Sequence, residues 1–495
     1  MLFRSLFSVT NMAAKAAPEK QLHTTSFGYF TSSMVSLSLR IFLVLILTTT
    51  TVFSGSVVKY LPGYDGELPF KLETGYISVG NSELFYYFIE SQGDPTEDPL
   101  FLWLTGGPGC SSFNGLIYEI GPMEFDIDNY TGGLPKLKDY PYAWTKTASI
   151  IFLDAPVGTG FSYSTTSDGW SSSDTDSAEQ GYQFLVKWLL QHPQYLPLQL
   201  YIGGDSYSGI IVPLITKKIV ERNEAGTIPY FNLIGYLLGS PTTDEALNDN
   251  SKIPFAHRMA LISDELYEEL KISCNETYVN VQPSNARCVV ALEYYEKCIK
   301  ELYRNDILEP KCTFASPEAE PEFSRRSLGE NPSNFILSPP RIPDLWCRNF
   351  NYALSYIWAN NVQVQDALHI RKGLVSEWMR CNKSISYTKN VLSVIDVHRY
   401  LSQKHLEVLV DSGDRDMVVP FVATQTWIKM LNLTIVNEWR PWFVDGQVAG
   451  YTVKYSEHGY RLTYATVKGA GHTAPEYYRR ECYEMFDRWI HWYPL

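Results

Sequence analysis

The sequence has 495 residues, of which 45% are hydrophobic and 19% charged, a composition typical of a globular protein with a large core. Its formal net charge of −13 at pH 7 argues against binding to nucleic acid or to an anionic membrane surface. The sequence contains no phosphate-binding loop pattern, no H-E-x-x-H and no paired C-x-x-C. We therefore expect neither a metal ion nor a cofactor.

The N-terminal residues have the character of a targeting sequence. Arg40 precedes a short apolar stretch at 41–47, and small residues follow at 54–56, the layout of a signal peptide. The apolar stretch is far shorter than the roughly 18 residues that a membrane anchor needs. We predict an N-terminal extension over 1–33, a signal peptide over 34–56 beginning at Met34, and no stable membrane anchor. An organellar transit peptide is the alternative, because residues 1–33 are basic and rich in serine.

Cysteines and glycosylation sequons indicate an oxidising secretory compartment. Four of the eight cysteines lie close together, which favours local disulfides: Cys274, Cys288, Cys298 and Cys312. Four N-x-[ST] sequons are candidate glycosylation sites: Asn129, Asn275, Asn382 and Asn432. We predict that the protein enters the secretory pathway and resides in a vacuole or outside the cell.

Short apolar runs alternate with helical patterns along most of the chain. The runs predict buried strands at 99–104, 149–153, 198–202, 233–238, 406–410 and 462–467. Helices are predicted at 174–191, 209–223 and 475–492. This alternation predicts an α/β fold with a mostly parallel central sheet covered on both faces, built from residues 57–239 and 344–495.

The intervening residues differ from this core. Helical patterns and the four clustered cysteines predict a helical, disulfide-rich insertion over 240–312, placed as a lid over a site. Residues 313–343 are rich in proline and contain Arg325-Arg326, so they predict an exposed linker. Proteolytic excision of this linker would give two disulfide-joined chains, and a flexible loop is the alternative.

The strongest local motif is Y-I-G-G-D-S-Y-S-G at 201–209. A strand enters, a serine stands at the turn and a helix leaves, which is the setting of a nucleophile elbow in an α/β-hydrolase fold. Ser206 is the predicted nucleophile. The motif departs from strict G-x-S-x-G because Ser208 takes the place of the second glycine and Gly209 follows.

A serine nucleophile needs a base and an acid that orients the base. His472 follows an apolar strand in a loop of small residues, and Asp416 lies in an acidic turn after the strand at 406–410. The order Ser206, Asp416, His472 is the order of α/β-hydrolases. A glycine-rich turn after the first predicted core strand, T-G-G-P-G at 105–109, fits the loop that completes an oxyanion hole.

These motifs together resemble the serine carboxypeptidase-like family, peptidase family S10, and especially its plant members. The resemblance covers roughly residues 60–495 and is carried by residues 103–112, 115–122, 154–163, 201–209, 414–416 and 469–475. It implies an acyl-enzyme on Ser206, with His472 as general base and acid. It implies Asp416 as the orienting acid, as the second Asp of G-D-x-D, with Asp414 as the alternative.

The resemblance also implies roles for further residues. The backbone N–H groups of Gly107 and Tyr207 correspond to the oxyanion hole. Family peptidases bind a substrate carboxylate at the positions of Trp103, Thr105, Gly106, Glu119 and Asp205. By analogy the disulfides are Cys110–Cys347, Cys274–Cys288 and Cys298–Cys312, which leaves Cys381 and Cys482 unassigned.

Two departures from the family peptidases bear on the reaction. Thr105 stands where they carry Asn, and Asp205 where they carry Glu, as in the plant subgroup that includes acyltransferases. The resemblance therefore implies transfer of an acyl group from a 1-O-acyl-glucose ester to an alcohol or amine. The alternative is a serine carboxypeptidase that acts on peptide C-termini at acidic pH. If Glu119 and Asp205 are adjacent, we expect one of them to be protonated in mildly acidic surroundings.

Overall fold

The computed structural model describes residues 55–311 and 348–495. The predicted N-terminal extension, nearly all of the predicted signal peptide and the predicted linker at 313–343 lie outside the described residues. So do Cys312 and Cys347. No helix in the described ranges is both long and apolar enough to cross a membrane.

The strands within the described ranges are as follows. The first eight are β1 (Gly55–Val58), β2 (Leu72–Val79), β3 (Ser82–Ile89), β4 (Leu100–Leu104), β5 (Met123–Phe125), β6 (Leu137–Asp139), β7 (Ser149–Leu153) and β8 (Tyr163–Ser164). The others are β9 (Ser171–Ser173), β10 (Leu200–Asp205), β11 (Leu233–Gly239), β12 (Ser386–Thr388), β13 (Glu407–Gly413), β14 (Thr434–Val444), β15 (Gln447–Glu457) and β16 (Tyr460–Val467).

The α-helices of the same ranges alternate with many of these strands. The first five are α1 (Asp174–Gln191), α2 (Ser208–Glu224), α3 (Glu245–Arg258), α4 (Asp264–Cys274) and α5 (Ala286–Ile299). The others are α6 (Arg348–Ala359), α7 (Val362–Ala367), α8 (Ile395–Leu401), α9 (Phe421–Met430), α10 (Ala474–Tyr477) and α11 (Arg479–Ile490). A π-helical turn also occurs at Gly115–Glu119.

One large sheet organises the molecule, in the order β1-β2-β3-β7-β4-β10-β11-β13-β16-β15-β14, with β8 paired to β3. The six strands from β7 to β16 in this order are parallel to one another, and the flanking strands are antiparallel. This confirms the predicted α/β fold with a mostly parallel sheet. Active-site residues collect at the carboxyl ends of the parallel strands, because such strands all point the same way.

Both faces of the sheet are buried, which explains why its strands are continuous apolar runs. On one face, Leu102 and Ile202 pack in a cluster with Leu185 of α1 and Ile215 of α2. Residues next to these in the strands point to the opposite face. Their cluster includes Trp103, Tyr201 and Leu409 together with Trp358 of α6 and Phe486 of α11.

Helices α3, α4 and α5 occupy the segment predicted as a helical insertion and share a small core with Met417 and Val422. A disulfide joins Cys274 at the end of α4 to Cys288 in α5, which confirms this predicted pair. Cys298, in the last turn of α5, is exposed and has no disulfide partner among the described residues. The predicted Cys298–Cys312 disulfide stays a prediction, because Cys312 lies outside the described residues.

The predicted Cys110–Cys347 disulfide is also wrong, because Cys110 bonds to Cys381. The two cysteines face each other in an isolated antiparallel bridge. On either side of them the backbone N–H of Ser111 donates to the carbonyl of Arg380, and the N–H of Asn382 donates to that of Gly109. This local pairing decides the partner of Cys110. Cys482, in α11, is buried and free.

Candidate active site

Ser206 stands at a sharp turn between β10 and α2. Its φ of 55° lies in the left-handed region, which a non-glycine residue adopts only where the surroundings impose it. Its N–H donates to the carbonyl of Gly239, and its own carbonyl accepts from the N–H groups of Gly209 and Thr242. The turn is thus fixed at both ends and lifts the serine hydroxyl above the sheet.

Small residues around Ser206 allow this turn to pack tightly. A β-carbon at Gly204 would lie 2.4 Å from the carbonyl oxygen of Leu104, and one at Gly209 would lie 2.5 Å from that of Thr242. Ser208, which replaces the expected glycine, donates its hydroxyl to the Leu104 carbonyl at 3.0 Å. The departure from G-x-S-x-G therefore adds a hydrogen bond between α2 and β4, and the space that glycine supplies is needed at Gly209.

A continuous hydrogen-bonded chain links Ser206, His472 and Asp416. His472 Nε2 lies 2.7 Å from Ser206 Oγ, and His472 Nδ1 lies 2.7 Å from Asp416 Oδ2. The other oxygen of Asp416 accepts from the backbone N–H groups of Val418 and Val419 at 2.7 and 3.1 Å. The Asp416 carboxylate is therefore fully engaged and its direction toward His472 is fixed. This arrangement can remove a proton from the serine and stabilise the imidazolium that results.

Asp414, the alternative acid, has a different role in the loop. Its Oδ1 accepts the backbone N–H of Gly469 at 2.8 Å, which ties the acidic turn to the loop that carries His472. A second support comes from the insertion side, where the backbone N–H of His472 donates to the carbonyl of Asn305 at 2.6 Å.

The charge environment favours a protonated His472. Burial by itself lowers the pKa of His472, but the charge of Asp416 and its hydrogen bond outweigh burial, and Asp205 and Glu476 add to them. The pKa of His472 is consequently raised above its ordinary value. Stabilising the imidazolium in this way suits a base that must take up the proton of Ser206.

The loop that contains Gly106 and Gly107 lies directly over the turn at Ser206. A β-carbon at Gly106 would lie 2.6 Å from the backbone nitrogen of Tyr207 and 2.7 Å from Ser206 Cβ. Gly107 has a φ of 117°, which an L side chain rarely adopts. Glycine is therefore needed at both positions to bring this loop against the nucleophile.

The carboxylate of Asp154 anchors this loop through hydrogen bonds. Its carboxylate accepts the hydroxyl of Ser111 at 2.6 Å and the N–H groups of Ser112 and Phe161 at 2.9 and 3.0 Å. Burial raises the pKa of Asp154 to about 7, although these hydrogen bonds act in the opposite direction. The motif at 154–163 is thus a support for the glycine-rich loop.

Four residues predicted to bind substrate each present a buried polar atom without a hydrogen-bond partner among the described residues. These atoms are Trp103 Nε1, Thr105 Oγ1, Glu119 Oε2 and Asp205 Oδ1. Leaving such an atom unpaired costs about 1–3 kcal/mol. Asp205 directly precedes Ser206 in the chain, and Thr105 adjoins Gly106, which packs against Ser206. A ligand bound at this point can complete the hydrogen bonds of these two residues.

Glu119 and Asp205 are close enough to influence each other. Burial, the nearby Asp205 and then Glu476 raise the pKa of Glu119 well above its ordinary value. Burial likewise raises the pKa of Asp205 to about 6, against the attraction of His472. This agrees with the expectation that one of the two carboxyls is protonated in mildly acidic surroundings.

The structure adds residues to this site that the sequence reasoning missed. Glu476 lies in α10 and accepts the hydroxyl of Tyr352 at 2.6 Å. Buried Arg479 donates to the backbone carbonyls of Glu119 and Gly121 at 2.9 and 3.0 Å, which fixes the π-helical turn that carries Glu119. Glu476 lies only four residues after His472, and that proximity was the one signal in the sequence that could have suggested it.

Comparisons with known proteins agree on one family. Residues 62–492 match the family model described as serine carboxypeptidase. Serine carboxypeptidase-like 2 of Arabidopsis thaliana is 44% identical over 470 residues, which cover 94% of this chain and 99% of that protein. Serine carboxypeptidase-like 17 of the same plant is 46% identical over 457 residues, which cover 92% and 97%.

A solved structure shares the fold. The crystal structure of Kex1Δp, a prohormone-processing carboxypeptidase from Saccharomyces cerevisiae, matches with a TM-score of 0.65 at 19% sequence identity. The match covers 85% of this chain and 91% of that one. The predicted resemblance to the serine carboxypeptidase-like family and the predicted α/β-hydrolase fold are both confirmed.

Proposed function

Because this chain belongs to the serine carboxypeptidase family, we propose that it is a serine-dependent acyltransferase that takes its acyl group from a 1-O-acyl-glucose ester. Ser206 is the nucleophile, His472 the general base and acid, and Asp416 the acid that orients His472. The acyl group passes through an ester on Ser206 to an alcohol or amine acceptor.

The proposed reaction has two halves. Ser206 Oγ attacks the ester carbonyl while His472 takes its proton, and the negative oxygen is held by the N–H groups of Gly107 and Tyr207. The C1 oxygen of glucose then leaves with the proton from His472. In the second half the acceptor gives its proton to His472 and attacks the acyl-serine, which regenerates the free hydroxyl.

The observation that carries the choice of donor is the set of four unpartnered polar atoms on residues predicted to bind substrate. They include two donors, on Trp103 and Thr105, and two carboxyl oxygens, on Glu119 and Asp205. A sugar hydroxyl both donates and accepts, so glucose can satisfy all four atoms. A peptide carboxylate only accepts, and an ionised Asp205 would repel it.

The carboxypeptidase is the second candidate, and the raised pKa values of Glu119 and Asp205 favour it at acidic pH. When both carboxyls are protonated they become donors, and the pocket then offers hydrogen bonds to a substrate carboxylate. This activity would therefore fade as Asp205 ionises near pH 6.

An acidic secretory compartment such as a vacuole fits these raised pKa values. The signal peptide, the secretory route and glycosylation of the four sequons stay predictions. Asn129, Asn275 and Asn432 are exposed, whereas Asn382 is half-buried and donates to the carbonyl of Gly158 at 2.9 Å.

A substrate panel tests the proposal. The purified protein is incubated at pH 5 to 7 with 1-O-acyl-glucose esters plus alcohol and amine acceptors, and separately with N-blocked dipeptides. Products are identified by mass spectrometry. Transfer products that disappear in Ser206→Ala and persist in Ser208→Ala support the proposal, since the Ser208 hydroxyl is bound to the Leu104 carbonyl. Release of C-terminal residues without any transfer product would instead identify a carboxypeptidase.

A further inference from the structure

A second buried carboxyl group lies beside Asp205, at the end of a neighbouring strand. Asp205 of β10 is in register with Gly239 of β11, and Gly239 is in register with Asp411 of β13. Residues in register on parallel strands point to the same face of the sheet. Because Gly239 has no side chain, nothing from β11 separates the two aspartates.

The space above Gly239 shows how close the two side chains come. A β-carbon built on Gly239 would lie 3.6 Å from Asp205 Cβ and 3.6 Å from Asp411 Oδ2. Asp411 is 2% exposed, and Asp205 is also buried. The Oδ1 atoms of both residues lack a hydrogen-bond partner among the described residues.

Within the described ranges, neither aspartate forms an ion pair with Lys or Arg. The attraction of His472 acts on Asp205 but offsets only part of the effect of burial on its pKa. The titratable groups that face Asp205 are His472, Glu476 of α10 and Glu119 of the π-helical turn. Those that face Asp411 are Asp205, Cys482 of α11 and Tyr464 of β16. Two carboxyl groups in such surroundings cannot both ionise without a large penalty.

We propose that Asp411 is a positioning residue for substrate recognition, which stays protonated while Asp205 is ionised and which, once ionised itself, drives Asp205 out of its binding position. This rests on the proposed function only in that Asp205 is taken to bind substrate. The residue acts through Asp205 and does not touch the reacting atoms.

The titration order follows from the surroundings of each group. Burial raises the pKa of Asp205 to about 6, and the attraction of His472 keeps this pKa from rising further. Burial together with the charge of Asp205 raises the pKa of Asp411 to about 7. As the pH rises, Asp205 therefore loses its proton near pH 6, and Asp411 loses the second proton of the pair near pH 7. Substrate affinity should fall over that second step, since two adjacent buried carboxylates repel each other.

Asp411→Asn is the direct test, because an amide has the shape of a protonated carboxyl group and cannot ionise. Below pH 6 the KM of Asp411→Asn should match that of the wild type. Between pH 6 and 8 the wild-type KM should rise about tenfold relative to that of the variant, the equivalent of one pKa unit of interaction. The pH profiles of kcat for the wild type and for Asp411→Asn should run parallel, because His472 titrates in both proteins.

Glu407→Gln is the matched control. Glu407 lies four residues earlier on β13, on the same face, and pairs with Arg461. Removing its charge should leave the wild-type pH profile of KM unchanged. A KM profile of Asp411→Asn that coincides with the wild type above pH 7 would overturn the proposal.

A measurement without substrate separates this inference from the proposed function. Infrared spectra of the wild type should show the loss of protonated carboxyl intensity near pH 7 from both Asp411 and Asp154, since the pKa of each is raised to about 7. Asp411→Asn should retain only the part of this transition that belongs to Asp154. Gly239→Ala provides a second variant, because its methyl group meets only ordinary contacts at 3.6 Å and would shield the pair further from solvent. Its transition should move to higher pH. If the wild-type transition is absent, or persists at its full size in Asp411→Asn, the inference is wrong whatever reaction the protein catalyses.

Discussion

The imidazole of His472 bonds to Asp416 and not to Asp414, although both aspartates lie in the same short turn. The distance from His472 Nδ1 to Asp416 Oδ2 is 2.7 Å, whereas Asp414 accepts the backbone N–H of Gly469. One aspartate therefore orients the imidazole and the other anchors its loop.

This division of roles predicts unequal losses on amidation. Asp416→Asn should lower kcat/KM by about 10³–10⁴-fold, because the amide stabilises neither the required tautomer nor the imidazolium. Asp414→Asn keeps an acceptor for Gly469 and should cost less than about tenfold. Steady-state kinetics of both variants with one acyl donor makes the comparison. A larger loss for Asp414→Asn than for Asp416→Asn would show that Asp414, and not Asp416, orients His472.

Thr105 and Asp205 should bias the enzyme toward a sugar ester. Thr105→Asn with Asp205→Glu restores the residue types of the family peptidases, adding a fixed N–H donor and a longer carboxyl group. We expect the ratio of peptide release to acyl transfer to rise by about tenfold or more, roughly the effect of one or two hydrogen bonds. The ratio is measured with a blocked dipeptide and a glucose ester on the same preparation. An unchanged ratio would show that these two positions do not select the donor.

Stability should fall as the pH rises from 4 to 7. Burial raises the pKa values of Asp154 and Asp411 to about 7 and that of Asp205 to about 6. These groups bind protons more tightly in the folded state, so the stabilisation is complete below pH 4 and is lost as the pH passes their folded pKa values. Between these limits each group changes the free energy of unfolding by about 1.4 kcal/mol per pH unit.

Urea unfolding at a series of pH values measures this dependence. Asp411→Asn should flatten the slope between pH 4 and 7, and Glu407→Gln should not. A free energy of unfolding that rises with pH over this interval would contradict the raised pKa values of Asp154, Asp205 and Asp411.

The cysteines should differ in reactivity in a defined pattern. Without reduction, alkylation of the native protein tests the predicted Cys298–Cys312 disulfide, because exposed Cys298 is labelled only if that bond is absent. Buried Cys482, whose thiol pKa is raised by burial, should react only after unfolding. Peptide mapping should find Cys110 joined to Cys381. Replacing both by alanine should cost about 2–5 kcal/mol, since the bond closes a loop of 271 residues. A mapped bond from Cys110 to any other cysteine would refute the pairing.

The sequence predicted the centre of the fold better than its edges. The six parallel strands are apolar runs because both of their faces are buried, and the catalytic candidates follow three of them. The long hairpin of β14 and β15 was missed because much of β14 is exposed and carries no such run. The pairing of Cys110 was missed because it depends on a backbone bridge between segments 271 residues apart.

The sequence identified those residues of the site that lie in a recognisable local motif. Ser206, Asp416 and His472 each follow a strand in a turn of small or acidic residues, so their spacing and order identified them. Asp411 directly follows an apolar run and gained its significance only from the strand register, which places it across Gly239 from Asp205. Arg479 acts through backbone carbonyls 358 and 360 residues away, a relation that sequence spacing cannot convey.

The central claim is that a glucose ester acylates Ser206. The most direct measurement is rapid acid quenching of the enzyme with a 1-O-acyl-glucose ester, followed by intact mass spectrometry and peptide mapping. We predict a mass increase equal to the acyl group on the peptide that contains Ser206, absent in Ser206→Ala and discharged by an acceptor. An enzyme that labels with a fluorophosphonate at Ser206 yet gains no acyl mass from any glucose ester would contradict the claim.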